Sequence, residues 1–174
     1  PVRTMHVEPD GLVLDEGLDS VGDLRIASIG IPQTLAIRAR HVLLDRREVA
    51  ALLPERPRSA HKGQMGHLLV VAGSPGKSGA AALCARAGLR AGIGLVTLAS
   101  APEVLTRVAS QLAEAMYAEL DLGQPAAQSG KVLRALAQGK SSLAWGPGMP
   151  TDSCAEEVLL SALASIDLPM VLDA

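Results

Sequence analysis

Residues 61–100 read HKGQMGHLLVVAGSPGKSGAAALCARAGLRAGIGLVTLAS, and the fold follows from this stretch. Leu68 to Ala72 is an unbroken apolar run, the pattern of a parallel strand buried on both faces. Gly73-Ser-Pro-Gly-Lys-Ser-Gly79 then interrupts it. Ser78 to Ala91 is rich in Ala, Leu and Arg, which favour helix, and Gly92 and Gly94 stop it. Leu83, Ala87 and Arg90 fall at i, i+4 and i+7. Ala80, Cys84 and Gly88 line an adjacent face, small enough to lie close on a sheet. Leu95 to Ala99 is a second apolar run. Strand, glycine loop, helix and strand make one βαβ unit, and its loop lies where α/β proteins hold phosphates.

The alternation continues downstream. Pro102 opens a helix to about Leu112, with Ser100 as its cap. Met116 to Leu120 is a weak strand, and Ser129 to Ala137 a helix. Ser142 to Trp145 is a short buried strand leading into Gly146-Pro-Gly148. Thr151 or Asp152 caps a helix to Ser165. Leu168 to Leu172 is a last apolar strand, followed by Asp173-Ala174. The expected architecture is α/β, an open, mostly parallel sheet with helices on both faces. Ligands bind such sheets beyond the carboxyl ends of the strands. Three loops meet that condition: Gly73 to Gly79, Gly146 to Pro150, and Asp173 onward.

Upstream the texture differs. Gly11 to Leu14, Leu24 to Ile29 and His41 to Leu44 read as short strands between Asp/Gly turns. Asp45 can cap a helix through Leu53, with Glu48 as its capping-box partner. Pro54 to Ala60 carries two prolines and three charges without periodicity, so a domain boundary is expected there. The chain opens on Pro1, without an initiator Met or a signal-peptide pattern.

Composition narrows the classes. Hydrophobic residues are 48% of the 174, which excludes intrinsic disorder. The net charge is −2 and aromatics are 1%, so neither a basic face nor base-stacking platforms point to nucleic acid. No apolar stretch approaches the roughly 20 residues of a membrane span. Cys84 and Cys154 lie far apart, with no Cys-x-x-Cys spacing, and read as small buried thiols of a reducing cytoplasm.

Which glycine loop this is decides the chemistry. Gly76-Lys77-Ser78 invites a P-loop, but the first glycine of that motif should stand at 71, which is Val71. The shorter loop cannot build the same nest of N–H groups. Pro169 to Asp173 could pass for a Walker B strand, yet apolar runs ending in Asp are common. The dinucleotide fingerprint fails too: Ser74-Pro75 separates Gly73 from Gly76, and Ser100, not an acid, closes the second strand.

His61-Lys-Gly63, Val71-Ala-Gly-Ser74, Gly79-Ala80 and Arg90-Ala-Gly-x-Gly-Leu-Val-Thr97 together resemble the ADP/ATP-dependent NAD(P)H-hydrate dehydratase family. Trp145-Gly-Pro-Gly148 and Val171-Leu-Asp-Ala174 match its later motifs in order. Ile26 to Pro32 is similar to the closing strand of the NAD(P)H-hydrate epimerase domain, and Leu52-Leu-Pro-x-Arg56 to the junction between the two. The resemblance implies a ribokinase-like fold, truncated, in three parts. Residues 1–36 would be the remnant of an epimerase domain, 37–60 a linker, and 61–174 the N-terminal half of the dehydratase.

The implied activity is repair of hydrated NADH and NADPH. ADP or ATP, with Mg2+, phosphorylates the ring hydroxyl, and loss of phosphate restores the double bond. The resemblance makes Ala80 and Gly148 substrate contacts, in company with Gly79 and Gly146, and Asp173 a further candidate. Pro150 stands where the family usually has glycine. Lys62 and Lys77 could meet phosphates or only water. His61 and His67 have no evident carboxylate partner, and no catalytic histidine is assigned. The family's Gly-Thr-Gly-Asp motif, with its catalytic aspartate, does not occur in this sequence, so catalytic residues are expected beyond Ala174 and the 174 residues alone are expected to be inactive. A cytoplasmic enzyme, homo-oligomeric at full length, is implied. The alternatives are another ribokinase-like small-molecule kinase or a P-loop-like nucleotide-binding module.

Overall fold

The computed structural model describes residue 19, residues 46–53 and residues 55–173. The chain divides into two compact units, Pro1–Arg56 and Pro57–Ala174. In the first, α1 spans Arg46–Leu52. The strands expected at 11–14, 24–29 and 41–44, and the Asp45 cap, lie outside the described residues.

The second unit begins with a 3-10 turn, Lys62–Met65. It is followed by β1 (His67–Val71), α2 (Ser78–Ala91), β2 (Leu95–Ser100) and α3 (Pro102–Ala109). Then come β3 (Met116–Glu119), α4 (Ala126–Ala137), β4 (Ser142–Trp145), α5 (Ser153–Ser165) and β5 (Met170–Leu172). The sheet order is β3-β2-β1-β4-β5, and every pairing is parallel, with Leu69 opposite both Thr97 and Leu143. The chain thus winds outward from β1 in one direction and then, at β4, in the other. The point of reversal lies between β1 and β4, the place where open α/β sheets carry their ligand crevice.

The apolar run of β1 is buried on both faces, as its composition requires. Val70 and Ala72 join Ala81, Ala82 and Ala85 of α2 and Val104 and Val108 of α3 in one core. Leu69 and Val71 face the other way, onto Leu133 of α4 and Val158 of α5. Successive strand residues point to opposite sides, so α2 and α3 cover one face and α4 and α5 the other.

The small face of α2 lies on the sheet as expected, and two readings at helix starts differ. Helix α2 is seated on Ala81, Ala85 and Gly88, while Leu83 is 69% exposed. A side chain at Gly88 would meet Leu68 Cδ2 at 2.8 Å, so only the smallest residues fit beneath this helix. Ser100 does not cap α3; its hydroxyl donates to the Gly73 carbonyl at 3.5 Å, and Ala101 is the N-cap. Ser129 does not start α4, which begins at Ala126 after Pro125; its hydroxyl donates to the Asp121 carbonyl at 2.7 Å. Asp152 caps α5, accepting from the Ala155 N–H at 2.9 Å.

Candidate functional site

The loops after β1 and β4 leave adjacent strand ends at the reversal point, and they are tied to each other. The Gly73 N–H donates to the Pro147 carbonyl at 2.8 Å. The Ser74 hydroxyl donates to the Gly148 carbonyl, also at 2.8 Å. Within the later loop the Met149 N–H donates to the Gly146 carbonyl at 2.7 Å. These bonds hold Gly148 against the start of α2. A Cβ at Gly148 would lie 2.8 Å from the Ala80 Cβ and 3.0 Å from the Lys77 carbonyl oxygen, and its φ is +71°. At Gly146, with φ +120°, a Cβ would fall 2.1 Å from the Asp173 carbonyl oxygen. Both positions demand glycine, on conformational and steric grounds together. The Asp173 N–H in turn donates to the Trp145 carbonyl at 2.8 Å.

Four of the five residues expected to bind substrate are therefore paired by contact, Ala80 with Gly148 and Gly146 with Asp173. The fifth, Gly79, is exposed, and a Cβ there would meet nothing within 4 Å. Its side faces open space at the first turn of α2. Ala80 is half-buried, and its N–H is committed to the Lys77 carbonyl at 3.2 Å, so it offers a methyl surface rather than a free donor.

The same bonds distinguish this loop in part from a P-loop. The N–H groups of Gly73, Lys77 and Ala80 all donate to carbonyls, of Pro147, Ser74 and Lys77 respectively. A P-loop instead turns successive N–H groups onto one phosphate. The loop after β1 is a clasp that fastens two strand ends.

Within the unit 57–174 a family model described as NAD(P)H-hydrate dehydratase matches residues 68–174. The chain belongs to the NAD(P)H-hydrate dehydratase family. It is 37% identical over 170 residues to the bifunctional NAD(P)H-hydrate repair enzyme Nnr of Moorella thermoacetica, an alignment covering 94% of this chain and 32% of that protein. It is 32% identical over 121 residues to the ADP-dependent (S)-NAD(P)H-hydrate dehydratase of Lactiplantibacillus plantarum, covering 70% of this chain and 41% of the relative. The crystal structure of the ADP/ATP-dependent NAD(P)H-hydrate dehydratase from Bacillus subtilis, co-crystallized with ATP/Mg2+, superposes with a TM-score of 0.59 at 29% identity. That match covers 74% of this chain and 44% of that one. A ribokinase-like superfamily protein of Enterococcus faecalis shares the fold, with a TM-score of 0.62 at 20% identity over 74% of this chain and 43% of that one. The chain thus spans about a third of the length of its bifunctional relatives.

Of the other charged candidates of this dehydratase-family chain, Lys77 adjoins the Ala80–Gly148 contact and the rest lie elsewhere. Lys62 precedes β1 and His67 begins it, at the amino edge of the sheet, opposite the glycine loops. His67 Nε2 is 2.8 Å from the Thr97 hydroxyl. Burial, and then the charge of Lys140, lower its pKa, so it is a neutral structural imidazole. Lys77 is exposed at the N-cap of α2. Cys84 and Cys154 are free and half-buried. Burial raises the Cys84 pKa, with the Asp173 carboxylate adding to it. Among the described residues no three His, Cys, Asp or Glu side chains gather as a metal would require. None of the described helices is long and apolar enough to cross a membrane.

One feature escaped the sequence. A cleft of about 280 Å³ opens on the β2–β3 side of the clasp, between residues 73–75, 99–103, 120–123 and 149–152. It borders the Ala80–Gly148 contact without including it. Two of its walls are exits of β2 and β3, and the rule that ligands sit at carboxyl strand ends is the signal that pointed to them.

Proposed function

We propose that the protein of which these residues form part restores hydrated NADH and NADPH to NADH and NADPH, in a reaction that consumes ADP or ATP. Family membership supports this reading, and one observation carries it to particular residues: the clasp presses Gly148 onto Ala80 at the reversal point of the sheet. In this reading Gly79, Ala80, Gly146, Gly148 and Asp173 line the substrate side. Residues 1–36 belong to an epimerase domain, 37–60 to a linker and 61–174 to the dehydratase. The enzyme works in the cytoplasm as a homo-oligomer.

The residues present suit positioning. The open space at Gly79 and the small side chain of Ala80 leave room for a ring system, and the bonds of Gly73 and Ser74 hold that surface rigid. Rigid placement of the reacting hydroxyl lowers the barrier by removing the entropy of alignment. The nucleotide supplies the phosphoryl group that turns the ring hydroxyl into a leaving group. Mg2+ in such reactions is held by one or two carboxylates and the nucleotide's own phosphates, and would supply charge neutralisation at the transferred group.

The experiment is recovery of reduced-nicotinamide absorbance from hydrated NADH by the full-length protein with ADP or ATP. Nucleotide-dependent recovery is expected, and Gly79→Trp, which fills the open space at the helix start, should abolish it while leaving the fold intact. Recovery without added nucleotide, or a stable phosphorylated product in place of NADH, would count against the reading.

A further inference from the structure

The cleft beside the clasp has a chemistry of its own. Its floor is apolar, from Val71, Ala99, Leu120 and Met149, and Pro75 and Pro150 face it from the two loops. Its charged lining residues are Glu103, Asp121 and Asp152, with no Lys, Arg or His among them. Ser100 lines it and is 4% exposed, yet its hydroxyl reaches the Gly73 carbonyl only at 3.5 Å. A hydroxyl also has two acceptor lone pairs, so this buried group has capacity left for a donor inside the cleft.

These properties discriminate between the parts of a dinucleotide. Three carboxylates repel phosphate, and they accept hydrogen bonds from hydroxyls, as an acidic residue does for a ribose in dinucleotide-binding sheets. Asp121 already accepts from the Gly123 N–H at 2.8 Å and from Gln124 Nε2 at 3.1 Å, and Asp152 from Ala155. A carboxylate offers about four acceptor positions, so each retains some. The cleft, at about 280 Å³, lies just under the roughly 300–1,000 Å³ of drug-sized ligand pockets. It therefore admits a ring and a sugar, not two nucleotides and their phosphates.

We infer that the cleft seats a nucleoside moiety of the dinucleotide, its base against the apolar floor and its ribose hydroxyls toward Ser100 and the carboxylates, with the phosphates left outside. The inference rests on the function proposed above and assigns one substrate half to residues that the contacts at Ala80 and Gly148 do not involve. Base and ribose are common to the adenosine and the reduced nicotinamide halves, so each is probed separately.

The test is heteronuclear NMR of the 174-residue chain with adenosine, reduced nicotinamide riboside, adenosine 5′-monophosphate and inorganic phosphate, all at millimolar concentration. One or both nucleosides should shift the amides of Ser100, Leu122 and Gly123, and inorganic phosphate should not. Adenosine 5′-monophosphate should bind no tighter than adenosine. Ala101→Trp, which fills the cleft, should weaken nucleoside binding at least tenfold. Glu103→Lys, an exposed change that leaves folding alone, should favour the monophosphate over adenosine by about tenfold. Shifts confined to residues 79, 80, 146 and 148, tighter binding of the monophosphate by the unaltered chain, or no shift with either nucleoside would overturn the inference. Binding is read without turnover. A full-length protein that fails to dehydrate hydrated NADH refutes the proposed function and leaves nucleoside binding standing. A working dehydratase whose cleft ignores nucleosides refutes this inference alone.

Discussion

Gly148→Ala isolates the contact on which the site depends. The new methyl would lie 2.8 Å from the Ala80 Cβ, 3.0 Å from the Lys77 carbonyl oxygen and 3.1 Å from the Lys77 Cβ, at a φ of +71°. The left-handed conformation costs a non-glycine residue about 1–2 kcal/mol. Overpacking against three fixed atoms adds about 1–3 kcal/mol. The sum, about 2–5 kcal/mol, is a large part of the roughly 5–15 kcal/mol that holds a domain folded. Ala80→Gly alone should cost about 1 kcal/mol or less, as loss of helix propensity in the first turn. Combined, the two changes remove the methyl–methyl overlap while keeping the Lys77 contacts and the strained φ. The double variant should then be more stable than the sum of the singles by about 1 kcal/mol, within the range seen for residues in contact. Urea unfolding followed by the fluorescence of Trp145, the only Trp, 4% exposed and next to Gly146, reads the change as a shifted midpoint at constant slope. Additivity to within about 0.5 kcal/mol would show that Ala80 and Gly148 do not touch and would refute the clasp.

Three further outcomes follow from the same geometry. The His67 pKa is lowered in the folded chain from an ordinary 6.5, so the unfolded chain binds the extra proton. Stability should therefore fall as pH drops below about 6.5 toward the lowered folded value; His67→Gln should flatten that limb of a pH series of urea midpoints, and an unchanged limb would remove His67 as its source. Cys84, its thiol raised by burial and then by Asp173, should react with iodoacetamide more slowly than an unburied thiol. Asp173→Asn should speed that reaction, and an unchanged rate would remove Asp173 as a contributor. Leu69→Ala, at a side chain with no exposure in the centre of the sheet, should cost about 2–5 kcal/mol by urea unfolding.

The strands of the second unit were legible because a parallel sheet covered on both faces needs consecutive apolar residues, and Leu68 to Ala72 supplies them without interruption. The seating of α2 was legible in part: the small face with Cys84 and Gly88 lies toward the sheet, joined by Ala81 and Ala85, which the sequence did not single out. Nor could the acidic rim be read. Glu103 is an acid in a helix first turn, Asp121 accepts from its own loop, and Asp152 is an N-cap. Each has a sufficient local explanation, and only the sheet order brings the three together. Ser100 misled because it looks like a helix cap, and Ser129 because it opens a helical run in sequence; each hydroxyl is used across a loop exit instead.

The distribution of charge shows which part of the work this unit is suited to. Phosphoryl transfer places negative charge on the moving group, and enzymes meet it with cations and aimed donors. The lining of the cleft carries carboxylates and no cation. The clasp spends the N–H groups of Gly73, Lys77 and Ala80 on carbonyls, and Lys62 sits at the opposite edge of the sheet. That leaves Lys77 as the cation beside the Ala80–Gly148 contact. A surface so arranged is poor at stabilising a transferring phosphoryl group and good at holding an uncharged ring and its ribose in one orientation. In the proposed reaction these residues would fix the hydroxyl's direction. Substitutions at Ala80, Gly148 or the cleft should then act first on substrate affinity and alignment, and leave the affinity for nucleotide nearly unchanged.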